Sequence, residues 1–409
     1  MTSPPAAAPI RRGALIFIYG TVVLDMLAFG IIIPVLPKLI EQFLHGDTAA
    51  AARVFGYFGM AWALMQFLFS PLLGALSDRY GRRPLILLSC FGLGVDFVFM
   101  ALAPTLLLLF IGRLVSGITA SSFSMASAYV ADVTPPAQRA GAYGVLGTAF
   151  GIGFILGPAI GGVLGHYDPR LPFFFAGALA LLNALYGYFV LPESLPVQRR
   201  SPRLNWARAN PVGGLQLLRQ HHGLLGFAAV YFLFQFAHYV LPSTWILLTS
   251  YRYGWDARAL GLMMAAVGLC NVLVQALLVR RFVARFGERR TLLTGLAFSI
   301  VGYAGFGLAS TGTLLFIVIP VFALAGLVTP GLQALMTQRV SAQEQGRLQG
   351  VNASLMGLAG MIAPGFFTQL FAALIGPAAP LQLPGAPMLA AAVLSVLALV
   401  VAVRASRPP

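Results

Sequence analysis

Gly74-Ala75-Leu76-Ser77-Asp78-Arg79-Tyr80-Gly81-Arg82-Arg83-Pro84 is the stretch on which the architecture turns. Its acid at the end of an apolar run, its glycine turn and its paired arginines recur in reduced form as Arg285-Phe286-Gly287-Glu288-Arg289, and Pro158 recurs as Pro364. Arg79 to Arg285 and Pro158 to Pro364 are the same 206 residues apart, so one half of the chain duplicates the other.

On either side of these turns the sequence is apolar. Hydrophobic residues make up 59% of the 409 positions and charged residues 9%, far below the quarter usual in soluble domains. Stretches of roughly 20 residues, enough to span a bilayer, fall at 14–38, 53–77, 84–104, 106–130, 141–165 and 171–191. Six more fall at 223–248, 258–280, 290–310, 313–338, 347–375 and 386–403. The first is too long for a signal-peptide core and reads as a retained span. The reading is an all-α membrane protein of twelve transmembrane helices in two pseudo-symmetric six-helix bundles, 1–191 and 223–409, joined by a central loop at 192–222. Within that loop, Trp206 to His222 suits an amphipathic helix lying on the membrane.

The net charge of +15 is layered, not clustered on one face, which argues against nucleic acid as a partner. Twenty arginines lie on the side of the bilayer that holds both termini, the central loop and Asp78, with Arg113 left inside a span. The other side holds Lys38, Arg53, Arg170, Arg252 and Arg258. The positive-inside rule then makes the termini cytoplasmic. Cys90 and Cys270 both lie in apolar runs and give no disulfide framework or metal site. No nucleophile-base pair or phosphate loop points to an enzyme.

Three charges fall inside the spans: Asp25, Asp96 and Arg113. Each costs at least ~2.5–3.5 kcal/mol on insertion scales, so each is functional by default. At 1.5 Å per residue Asp25 is ~16 Å and Asp96 ~18 Å deep from one side, and Arg113 ~12 Å from the other, so all three share a depth. A carboxylate there can exchange a proton as water or Arg113 comes and goes, which suits proton coupling; a static buried ion pair is the structural alternative. The fifth span carries Gly153, Gly157, Gly161 and Gly165 at four-residue spacing with Pro158 among them, a face a neighbouring helix can approach closely.

These motifs resemble the major facilitator superfamily. The 74–84 stretch is similar to its signature between the second and third helices, and the resemblance implies that Asp78, Arg79, Gly81, Arg82 and Arg83 form a cytoplasmic gate. In that gate Asp78 would meet arginines and the N-terminus of the eleventh helix. The run Gly151 to Gly162, with Gly153, Gly157, Pro158, Gly161 and Gly162, resembles the motif that marks antiporters, and Gly112 to Thr119 resembles the fourth-helix motif whose arginine takes part in proton transfer. Val23 to Pro37, with Asp96, Gln275 and Gly254-Trp255, resembles the tetracycline/proton antiporters among the drug/proton antiporters. Two positions depart from that pattern: Asn271 stands for an eighth-helix histidine and Ser299 for a ninth-helix aspartate.

The expected substrate wall is neutral and aromatic: Tyr231, Gln235, His238, Asn271, Gln275, Gln333 and Asn352. Such a wall suits a small amphipathic organic molecule. The expectation is thus a proton-coupled exporter of a tetracycline-like or other drug-like compound, monomeric, in a bacterial inner membrane. No cofactor is expected, with protons as coupling ion and a divalent metal only as part of a chelated substrate. The alternatives are proton-coupled uptake of a nutrient or siderophore, and a non-transporting lipid-flipping or sensory protein.

Overall fold

The computed structural model describes residues 12–120, 122–135, 139–201, 215–341, 344–375, 379 and 381–406, and every regular element among them is helical. Arg11, Arg203, Arg208, Arg407 and residues 206–214 of the expected amphipathic segment lie outside the described residues. The end of that segment forms a short helix, Gln216–Gln220.

Ten stretches are long and apolar enough to cross a bilayer, and Gly151–Tyr167 is a shorter apolar one. Arg258–Leu308 runs 51 residues, more than twice the ~30 Å of hydrocarbon at 1.5 Å per residue, so it crosses twice. It turns at Gly287, whose φ of 75° and ψ of 169° leave the helical region. Twelve crossings result among the described residues, with both chain ends on one side.

In chain order the first half has α1 (Arg12–Ile32, resuming after Pro34 as Leu36–Phe43), α2 (Thr48–Tyr80), α3 (Arg82–Leu102), α4 (Leu106–Val133), α5 (Arg139–Tyr167) and α6 (Leu171–Val190). The second has α7 (His222–His238 and Val240–Tyr253), α8 (257–286), α9 (288–308), α10 (Gly312–Thr337), α11 (Gln345–Ile375) and α12 (Ala386–Ala405). Local chemistry sets the ends. Asp47, Thr105, Asp256 and Thr311 each accept the N–H three residues on and so cap α2, α4, α8 and α10. The repeated turns use one device, since Gly81 (φ 108°) and Gly287 (φ 75°) both take a left-handed backbone that a side chain would strain.

Within the halves, α1 packs on α5 and α3 on α6, while α12 packs on α7 and α9. The halves meet along two seams, α2 with α11 and α5 with α8. The duplicated proline sits in both. Pro158 presents its carbonyl 2.7 Å from where a Cβ on Gly261 would stand, and Pro364 lies 3.1 Å from the corresponding point on Gly59.

The glycine stripe of α5 faces α1. A Cβ on Gly157 would lie 2.6 Å from the Leu27 carbonyl oxygen, and one on Gly153 or Gly161 would strike the carbonyl of Val23 or Ile31. Because the obstacle is backbone, a side chain here cannot be relieved by a rotamer change. Gly161→Leu is therefore expected to destabilise the fold by about 1–3 kcal/mol or more, the range for overpacking. Gly20→Ala, where an added Cβ meets nothing within 4 Å, should not. Thermal unfolding of the two variants in detergent checks the contrast.

Candidate functional site

A cavity of about 910 Å³ opens between the halves, at the upper end of the range for small-molecule sites. Thr148, Gly151, Ile152 and Ile155 of α5 form its wall on the first half. The second half supplies Phe234, Gln235, His238 and Trp245 of α7, Met264, Asn271 and Gln275 of α8, and Phe322, Gly326 and Thr329 of α10. Among the described residues no aspartate, glutamate, lysine or arginine lines it. A molecule held here is held by apolar area, aromatic faces and a few neutral hydrogen bonds.

Of the residues expected to bind substrate, the fold gathers Gln235, His238, Asn271 and Gln275 on this cavity. Gln275 lies in a π-helical turn, Val274–Leu278, and its amide donates to the Gly326 carbonyl at 3.2 Å. Such turns often mark functional sites, because the surplus residue disturbs the regular ladder. Tyr231, Gln333 and Asn352 are not among the lining residues, which corrects the expected wall. Tyr231 is buried in the apolar cluster of the second half, and Asn352 is buried with neither amide atom hydrogen-bonded. Polar type and span membership nominated them, but helix facing decides, and the sequence period was too weak to give it. The departures separate in the same way: Asn271 faces the cavity, whereas Ser299 is fully buried and donates to its own helix at the Leu296 carbonyl. The sequence reading missed Thr148 and Thr329.

The three buried charges stand apart from the cavity, in the first half. Asp25 is 3%, Asp96 2% and Arg113 8% exposed. Asp96 and Arg113 interact through space beyond direct ion-pair distance, and neither Asp96 oxygen has a hydrogen-bond partner of good geometry, Ser116 included. The Arg113 guanidinium instead lies over the Trp62 ring, 5.4 Å from its centroid. Asp25 belongs to a second group. Its charge acts on Cys90, whose sulfur is 3.7 Å from the Asn183 amide, and Asn183 in turn accepts from Thr21 at 3.4 Å.

The 78–83 segment is tied to its own half. Asp78 pairs with Arg82 at 2.7 Å, and Arg82 also reaches Asp132 at 3.0 Å and Ser77 at 2.9 Å. Glu193, which the sequence reading did not single out, accepts from the Arg82 backbone at 2.8 Å and pairs with Arg200 at 3.6 Å. Arg83 donates to the Tyr188 carbonyl at 2.6 Å, and Arg79 lies over the Tyr80 ring. Among the described residues the partners of Asp78 are Arg82, an arginine as expected, and, through its carbonyl, Ser201; the start of α11 is not among them in this conformation. At the same end of the second half, Glu344 accepts from His221 at 3.0 Å and from Ser341, which hold its pKa down to about 2.

The opposite end is closed. Glycine-mediated approaches between the halves concentrate between the Lys38 end and mid-membrane (Gly56 with Thr368, Gly59 with Pro364, Gly261 with Pro158, Gly365 with Met60), and Gly268 with Ile155 and Gly357 with Phe67 extend them to about mid-membrane. Lys38 of α1 donates to the Trp255 carbonyl at 3.1 Å, and His166 of α5 meets Asp256 of α8 at 3.2 Å. The Ala259 N–H holds the Asp256 carboxyl below its ordinary pKa, helped by His166, Lys38 and Arg258. Lys38, which in sequence has only Glu41 as a nearby acid, acquires its inter-half contact only where the halves meet.

The family model described as Major Facilitator Superfamily matches residues 18–364 and 227–409. The chain is 37% identical to the class C tetracycline resistance protein of Escherichia coli over 362 residues, 88% of this chain and 90% of that one. It is 36% identical to the class G tetracycline resistance protein of Vibrio anguillarum, covering 86% and 89%. Among solved structures, a bacterial homolog of the human lysosomal transporter Spinster, in an inward-facing and unoccupied conformation, superposes with a TM-score of 0.76 at 20% identity, covering 98% of each chain.

Asp256 joins the two halves by charge while it is ionised. The first cause of its depressed pKa, the Ala259 N–H, lies within α8, and the charge it presents to Lys38 and His166 of the first half is present above the ordinary carboxylate range and lost only as pH falls through the lowered value. The closure should hold at about pH 5–7. Lys38→Ala combined with Asp256→Asn should raise, several-fold, maleimide labelling of a cysteine at Met264 from the Lys38 side, in a background lacking Cys90 and Cys270. An unchanged rate would mean that the glycine seams alone keep this end shut.

Proposed function

The chain belongs to the major facilitator superfamily, and from that premise we propose that it is a proton-coupled antiporter exporting an amphipathic, drug-like compound by alternating access. The observation that carries the reading is a division of labour: an uncharged cavity of about 910 Å³ between the halves, and three buried charges held apart from it in the first half. With no carboxylate in the cavity lining, the buried acids of the first half are the groups assigned to proton handling, Asp25 and Asp96 with Arg113. The compound is bound by Gln235, His238, Asn271, Gln275 and the surrounding aromatic and thioether side chains.

The two sites are linked through backbone. Asp25 lies on the segment of α1 whose Val23, Leu27 and Ile31 carbonyls seat the glycines of α5. The other side of α5 presents Gly151, Ile152 and Ile155 to the cavity. A shift of α1 on protonation of Asp25 therefore moves the cavity wall directly, with no flexible side chain between to absorb it. Because the halves touch at the Lys38 end and, among the described residues, the gate segment is engaged with the first half and the start of the central loop, the conformation is open toward the Asp78 side. The excess of arginine on that side makes it the cytoplasm of a bacterial cell.

The working unit is a single chain in the inner membrane, a transporter and not an enzyme, with protons as coupling ion and no resident metal. A substrate carrying a chelated divalent metal would meet only neutral donors at Asn271, Gln275 and His238. The tetracycline relatives make tetracycline the first compound to try.

Asp25→Asn in proteoliposomes should abolish tetracycline-driven proton movement while leaving tetracycline affinity within a few-fold, since Asp25 does not line the cavity. Proton movement that survives the substitution would overturn the assignment of Asp25, and a large loss of affinity would overturn the separation of the two sites.

A further inference from the structure

His238 is exposed to the cavity, between the rings of Phe234 (centroids 5.9 Å apart, 25° between planes) and Phe322 (6.4 Å, 10°). Its Nδ1 lies 3.3 Å from the hydroxyl of Tyr303. Tyr303 is on α9, fully buried behind the cavity wall, and packs on Phe322 at 4.8 Å. α9 gives the cavity no lining residue, so Tyr303 acts on its contents only through the residues in front of it.

The bond has a direction. Among the described residues His238 is the only partner of the Tyr303 hydroxyl. If that hydroxyl accepted from Nδ1, its own hydrogen would be buried without an acceptor, at the full desolvation cost of the donor. The O–H therefore donates to Nδ1, and a neutral imidazole with Nδ1 accepting carries its hydrogen on Nε2. Phe234 and Phe322 hold the ring plane, and Tyr303 holds the tautomer and the ring flip.

We propose that His238 is a specificity-determining residue, presenting a fixed Nε2–H donor to the cavity, and that Tyr303 is the positioning residue that fixes it. The pair selects a planar molecule bearing a carbonyl, enolate or phenolate oxygen, which can stack along the Phe234 and Phe322 rings and accept from Nε2. This deepens the reading above and rests on it, since it concerns the same cavity. Without the hydroxyl both tautomers and both ring orientations become accessible, and the donor is offered only part of the time.

The test is a double-mutant cycle on the purified full chain, with tetracycline as probe and quenching of Trp245, a cavity residue, as readout. Gln at 238 places an amide N–H near the Nε2 position and needs no tautomeric lock. Tyr303→Phe should weaken tetracycline binding about 3–10-fold, the size of one neutral hydrogen bond. His238→Leu should weaken it by at least as much, and His238→Gln should restore it to within about twofold of wild type. Adding Tyr303→Phe to His238→Gln should then have no further effect. An equal loss from Tyr303→Phe in both backgrounds would show that the ring packing matters and not the tautomer, which overturns the proposal; so would no loss in either. The outcome is independent of proton movement, so it fails or stands apart from the antiport reading, whereas a wild-type chain that does not bind tetracycline removes both the oxygen-bearing substrate and the pair's role.

Discussion

Lipid gives transmembrane helices no hydrophobic reason to prefer one another over acyl chains, so close backbone approach has to hold them. In this protein that constraint is met by glycine and proline. Gly153, Gly157 and Gly161 bring α5 onto the carbonyls of α1, and Gly59 and Gly261 admit the prolines of α11 and α5 at the two seams between halves. Because α5 carries one face toward α1 and another toward α8 and the cavity, it stands between the helix that holds Asp25 and the cavity. The cavity geometry and its link to Asp25 both follow from that placement.

Much of this was legible from composition and spacing, for reasons that are themselves physical. A bilayer demands helices of a minimum length, so apolar runs between arginine turns translate directly into crossings. The offset shared by Arg79 with Arg285 and Pro158 with Pro364 found the duplication, and the structure shows that the repeated features are backbone devices: a left-handed glycine at 81 and 287, and a seam proline at 158 and 364. Such positions depend little on side-chain facing, so they survive being read from one dimension.

Facing was the part that could not be read. These helices are apolar all round, so no amphipathic stripe tells cavity from lipid or from neighbouring helix. Tyr231 and Asn352 turned into the packing, Ser299 onto its own backbone, and Thr148 and Thr329 onto the cavity. Glu193 was missed for another reason: it sits in a loop, where an acid is unremarkable, and becomes an organiser only because Gly81 leaves room for its carboxylate beside Arg82. Its partners at Arg82 and Arg83 are more than a hundred residues away in sequence, and no local signal announces them.

Asp25, Asp96 and Arg113 all lie in one half, while the cavity-facing surface of the other is neutral. A membrane potential acts on charge within the hydrocarbon, at about 2.3 kcal/mol per unit charge carried across 100 mV. In a rocking motion the electric field therefore grips only one of the two bodies. If the proposed proton coupling holds, the first half is the voltage-bearing arm, its load changing with each proton taken up by Asp25 or Asp96, and the second is an electrically silent counterpart against which it moves.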